Sequence, residues 1–208
     1  TRDVFVRDLQ AETTTLVSVN GLGTNSGNGE SGSNPAPAIS ADGRFVVFES
    51  LASDLVATDT NGTRDVFVRD LQAETTTLVS ANLAGTDSGR GNQGGSTGAS
   101  ISADGRFVAF TSWAPDLVAT DTNGTRDVFV RDLQAGTTTL VSVNLAGTDS
   151  GRGTRPGPPL QGGSFGTSIS ADGRFVAFTS YALTLVATDG NGESDAFVRD
   201  LETKTTTL

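Results

Sequence analysis

Short apolar bursts punctuate this chain at regular distances, and polar, glycine-rich tracts separate them. Phe45-Val46-Val47-Phe48, Phe107-Val108-Ala109-Phe110 and Phe175-Val176-Ala177-Phe178 are apolar at consecutive positions. That pattern predicts strands covered on both faces. Each burst follows Asp-Gly-Arg, a turn signal in which glycine supplies a positive φ. Ahead of the first turn, Pro37-Ala38-Ile39-Ser40 reads as a leading strand. Downstream, Asp65–Leu71 reads as a third strand, Gln72-Ala73-Glu74 as a turn, and Thr75–Ser80, rich in β-branched residues, as a fourth. The tract from Asn82 to Ser100 is polar and poor in strand formers, which predicts a loop. No segment carries a sustained helical period.

This pattern recurs in tandem. TRDVFVRDLQAETTTLVS fills residues 1–18 and again 63–80; it returns at 125–142 with Gly136 in place of Glu74, and as SDAFVRDLETKTTTL at 194–208. ISADGRFVVFES at 39–50 keeps step with ISADGRFVAFTS at 101–112 and 169–180. The marker residues Asp3, Asp65, Asp127 and Asp195 lie 62, 62 and 68 residues apart, so one supersecondary unit has been copied. Four short strands per unit predict an all-β fold, a β-propeller of four-stranded blades. A parallel β-helix has shorter rungs, and a plain sandwich would not explain near-identical units. The expected organisation is a single array over 1–208: a half blade at 1–18 and blades at 37–80, 99–142 and 167–208.

ISADGRFVAF followed by DTNGTRDVFVRDLQAGTTTLVS resembles the TolB-like, WD-like β-propeller repeats of secreted and cell-envelope bacterial proteins, over essentially the whole chain. The resemblance implies blades around a central axis, a bacterial, extracellular or envelope location, and binding or scaffolding roles. It implies no particular ligand. Three and a half units leave an outer hairpin without inner strands, and a two-stranded sheet rarely stands alone. Three expectations follow: additional repeats of a longer chain, further copies completing one another in a ring or filament, or an irregular small ring.

Composition narrows the chemistry. A net charge of −10 with no histidine argues against nucleic acid or an anionic membrane as partner. Without cysteine there is neither a disulfide framework nor a thiolate metal site. No apolar run is long enough for a membrane span. Gly94-Gly95-Ser96-Thr97-Gly98 and Gly162-Gly163-Ser164-Phe165-Gly166 match the nucleophile pattern Gly-x-Ser-x-Gly, but lack a histidine base and a following helix. The expectation is a non-enzymatic protein.

The strongest candidate chemistry lies between the second and third strands of each unit. There the chain reads Asp59-Thr60-Asn61-Gly62-Thr63-Arg64-Asp65, then Asp121-Thr122-Asn123-Gly124-Thr125-Arg126-Asp127, then Asp189-Gly190-Asn191-Gly192-Glu193-Ser194-Asp195. Oxygen donors at alternating positions, Asp59, Asn61, Thr63 and Asp65 with their equivalents Asp121, Asn123, Thr125, Asp127 and Asp189, Asn191, Glu193, Asp195, suit Ca2+. The loop is similar to the calcium loops of integrin-type propellers, but is two residues shorter and lacks their central Asp. The alternative is a tight Asx-turn loop with no metal. Two functional readings stay open: a calcium-binding structural or adhesive propeller, possibly a filament subunit, and a propeller module for a glycan or protein ligand. Trp113 and Tyr181, which replace Leu51, belong either to packing or to sugar stacking. The irregular segment around Arg155–Leu160 is a candidate contact for a partner chain.

Overall fold

A computed structural model describes residues 2–32, 36–91, 95–153 and 163–208. All regular structure among them is β. The first sheet is a hairpin of β1 (Phe5–Asp8) and β2 (Thr13–Leu16). The second holds β3 (Ala38–Ile39), β4 (Phe45–Ser50), β5 (Asp65–Asp70) and β6 (Thr75–Leu78); the third, β7 (Ser96–Ile101), β8 (Phe107–Ser112), β9 (Asp127–Asp132) and β10 (Thr137–Leu140); the fourth, β11 (Ser164–Ile169), β12 (Phe175–Ser180), β13 (Asp195–Asp200) and β14 (Thr205–Thr207). Every sheet is antiparallel with its strands in sequence order. That is the meander of a propeller blade.

The consecutive apolar positions are explained by the layers between sheets. From the second sheet, Val47, Val66, Val68 and Val79 meet Val108, Phe110, Phe129 and Leu140 of the third. The opposite face of the second sheet, Val46, Phe48 and Phe67, meets Val4 and Val17 of the first hairpin. Ala109, Val128, Val130 and Val141 likewise face Val176, Phe178 and Phe197. Register places Phe48 opposite Phe67, with rings 5.9 Å apart, and the same pairing recurs as Phe110–Phe129 and Phe178–Phe197. Each such buried phenylalanine contributes about 2–3 kcal/mol by removal from water.

The Asp-Gly-Arg turns are built from their own side chains. Asp42 accepts the Ser40 hydroxyl and the Arg44 amide, and Gly43 takes φ +75°. Arg44 then forks onto Asp70 at 2.9 and 2.6 Å, as Arg106 does onto Asp132 and Arg174 onto Asp200. The third strand of each blade ends in Arg-Asp (Arg69-Asp70, Arg131-Asp132 and Arg199-Asp200), and the two residues divide their work. The aspartate meets the arginine of the turn that leads into the neighbouring strand. The dipeptide's own arginine does otherwise: Arg69, Arg131 and Arg199 donate to Thr76, Thr138 and Thr206 on the outer strand.

Part of the tract read as loop is a strand. Ser96–Ile101 forms β7, the inner strand of its blade, despite weak β propensity. A register shift between Thr97 and Ser100 lets Gly98 sit at φ +71°, and the Ser96 and Ser112 hydroxyls satisfy one another at 2.9 Å. Pairing with β8 and packing between blades override the local preference. The adjacent Gly94, with Gly162 and the segment around Arg155–Leu160, lies outside the described residues.

Neighbouring blades also join through their turns. Ala41 donates its amide to Ala103, and Ala103 to Ala171, at 3.0 and 2.9 Å. Gly105 lies so close to the Phe45 ring that an added Cβ would stand 2.1 Å from it.

Candidate cation site in the acidic loops

Each acidic loop joins the second strand of a blade to its third, and over the first two a later segment closes. In the second blade this segment is residues 82–91. Ser88 donates its amide to the Thr58 carbonyl and its hydroxyl to Asp59, Thr60 donates to Asp87, and the Asn61 amide group donates to the Gly89 carbonyl at 2.7 Å. The third blade repeats the arrangement with Ser150, Asp149 and Gly151 around Thr122 and Asn123. The same segments reach the next blade: Leu83 and Arg90 donate their amides to the carbonyl and carboxylate of Asp116. They clasp two blades at once.

Under this cover the carboxylates are withdrawn from water. Asp65 and Asp127 are 0% and 1% exposed, and Asp59 and Asp121 are each 5% exposed. One oxygen of Asp65 accepts the Ser80 hydroxyl at 2.5 Å, and Asp127 accepts Ser142 in the same way. Among the described residues the second oxygen of each has no hydrogen-bond partner, and neither do Asp121 Oδ1 or the hydroxyls of Thr63 and Thr125. Burial, and then the nearby Asp59 carboxylate, push Asp65 up to about 7, against the pull of Ser80. Burial and Asp121 push Asp127 up to about 8. Asp121 itself rises to about 6 and Asp59 rises too, both chiefly through burial.

The asparagines do something else. Asn61 Oδ1 accepts the Thr63 amide at 2.7 Å, Asn123 accepts from Thr125, and Asn191 accepts from Glu193 at 2.8 Å. These are Asx turns, so the amide oxygens hold the loop in shape. In the last copy Asn191 and Glu193 are exposed and Asp189 and Asp195 half-buried. Among the described residues both oxygens of Asp189 and Oδ2 of Asp195 still lack hydrogen-bond partners. The structure thus brings Asp59 near Asp65 and Asp121 near Asp127, while the asparagine oxygens shape the turn. Among the described residues no three His, Cys, Asp or Glu side chains form a ready-made ligand cluster.

Sequence reasoning missed Ser80, Ser88, Ser142 and Ser150. Their signal was present: each lies in the block that repeats in step with the acidic loops. The hairpin of β1 and β2 carries the same element, Asp3 accepting from Ser18 at 3.0 Å. Among the described residues, no helix is long and apolar enough to cross a membrane.

No protein-family model and no curated protein matches the chain. Solved structures do. A putative TolB from Agrobacterium tumefaciens aligns with a TM-score of 0.53 at 15% identity, over 99% of this chain and 55% of that one. The tricorn protease aligns at 0.53 and 16%, over 94% of this chain and 15% of the protease. TolB from Acinetobacter baumannii aligns at 0.48 and 18%, over 99% of this chain and 37% of its own. The chain thus spans little more than half the length of the Agrobacterium protein and less of the other two. It has the β-propeller fold, built of four-stranded blades like those of TolB-like proteins.

Proposed function

We propose that the chain is a non-enzymatic, extracellular or cell-envelope propeller module whose acidic loops bind calcium in a structural or adhesive role, beside further copies of itself or further repeats. One observation carries this reading. In two equivalent loops buried aspartates, Asp65 in one and Asp121 and Asp127 in the other, keep oxygens that have no donor among the described residues. Buried anions without partners are costly, and a bound cation or a retained proton removes that cost. The donor set is oxygen only, which selects a hard cation. Asp59, Thr63 and Asp65, and Asp121, Thr125 and Asp127, would hold it, with backbone carbonyls and water completing the six to eight ligands that calcium takes.

The position gives the ion a purpose. It would lie beneath the segment that clasps two blades, so binding would stiffen the joint between them. Calorimetric titration of chelator-treated protein with CaCl2 at pH 7.5 tests this. The expected result is saturable binding and a raised melting temperature; no heat and no shift would sink the proposal in favour of protonated turns.

A further inference from the structure

Near-identical repeats make their differences informative, and several gather around one arginine. Arg64 and Arg126 occupy equivalent positions. Near Arg64 stands Glu49, 2% exposed, whose carboxylate accepts the Gly98 amide at 2.6 Å and feels the Arg64 charge. In the following unit its counterpart is Thr111, an uncharged residue bonded to the Thr97 carbonyl. Meanwhile Leu51 has become Trp113 and Thr97 has become Phe165. The Arg126 guanidinium lies over both rings, at 5.9 Å from Trp113 and 5.3 Å from Phe165. Tyr181 adds a third ring, 5.9 Å from Phe165.

Arg126 thus differs from the arginines of the Asp-Gly-Arg turns. Arg44, Arg106 and Arg174 each hold an aspartate. Among the described residues Arg126 forms no ion pair, its buried Nε has no hydrogen-bond partner, and burial alone lowers its basicity. The segments outside the described residues contain no Asp or Glu. Trp113, Phe165, Tyr181 and Arg126 are all partly exposed. A guanidinium that has lost its internal counter-charge is prepared for a carboxylate from outside, which it binds through two parallel hydrogen bonds. Partly exposed aromatic faces suit the C–H faces of a sugar ring better than a small inorganic anion.

We propose that Arg126, Trp113, Phe165 and Tyr181 form a binding site for a carboxylated sugar, a uronate residue of an acidic glycan. The site is independent of calcium. Trp113 is the only tryptophan, so its emission reports binding directly. The protein is titrated with trigalacturonate in excess chelator at about 0.15 M salt, where the repulsion from its negative surface is largely screened. A saturable change in emission is expected, with none for galactotriose and none for acetate at equal concentration. Arg126→Gln should weaken binding about tenfold or more, as removal of a charge-assisted pair does. Thr111→Glu restores the residue of the preceding unit, where Glu49 accepts the amide of Gly98, the equivalent of Gly166. It should abolish binding while the protein folds, since Glu49 is accommodated at the equivalent place in the preceding unit, and it decides the question if Arg126→Gln fails to fold. An equal response to galactotriose or acetate overturns the proposal. So does no response to trigalacturonate, or unchanged affinity in the folded variants.

Discussion

Replacing Asp127 by asparagine separates the cost of a buried charge from the benefit of a metal. The substitution keeps size and shape, and Oδ1 can still accept the Ser142 hydroxyl. What it removes is a carboxyl whose proton the folded protein holds up to about pH 8 and the unfolded chain releases near 3.8. At pH 7 that difference amounts to at most about 4 kcal/mol in favour of the unfolded chain. The same group is a ligand in the proposed calcium site. Without calcium, Asp127→Asn should therefore be more stable than the parent, by up to about 10 °C in melting temperature for a chain of this length. With saturating calcium the order should narrow or reverse, and calorimetry should count one equivalent fewer in the variant. Scanning calorimetry at pH 7, in chelator and in millimolar calcium, reads both effects. A variant that melts below the parent in chelator, or that still binds the parental number of ions, would refute the reasoning.

Other consequences can be measured in the same way. The raised aspartates and Glu49, which rises to about 7, make the metal-free folded state the better proton binder between about pH 4 and 8. Its stability should fall as pH rises through that window, and calcium should flatten the upper half; a metal-free melting temperature that climbs from pH 5 to 8 would contradict this. Asp70 and Asp132, held near 2 by Arg44 and Arg106, act oppositely, and their stabilisation should be lost only as pH falls from about 4 towards 2. Gly105→Ala should destabilise more than Gly43→Ala in urea titrations. Both have φ +75°, but only at Gly105 would the methyl strike a neighbouring blade, whereas Gly43 has open space; equal losses would deny that contact. Glu74→Gly should stabilise by about 1 kcal/mol, because Glu74 sits at φ 55° where the next unit has Gly136 at 67°. No gain in chemical denaturation would show that the strain is absent.

Much of the architecture was legible because each unit states its strands through apolar runs and turn residues. Phe45–Phe48 announced cover on both faces, and Val46 and Val47 are found buried against opposite neighbours. Asp42-Gly43 announced its turn. The inner strand Ser96–Ile101 was not legible, since its polar residues become strand only when Ser112 and the next blade supply partners. In the acidic loops the residue types were visible, but not their division of labour. Asn61 and Thr63 look like equivalent donors in the sequence; only the fold shows Asn61 engaged with Gly89 and the Thr63 amide, and the Thr63 hydroxyl left over. The pairing of Arg126 with Phe165 joins residues 39 positions apart. No local pattern marks it, though the replacement of Leu51 by Trp113 hinted at a specialised unit.

The segments 82–91 and 144–153 carry one further implication. Each bonds chiefly to the blade it leaves and also to the blade it enters. A duplication that copies one unit therefore copies its seam as well, and the newcomer arrives with a complementary neighbour. Arrays of this kind can lengthen or shorten by whole units without any new interface having to evolve. Selection is then free to individualise single positions, as at Glu49 and Trp113, while the joints stay interchangeable.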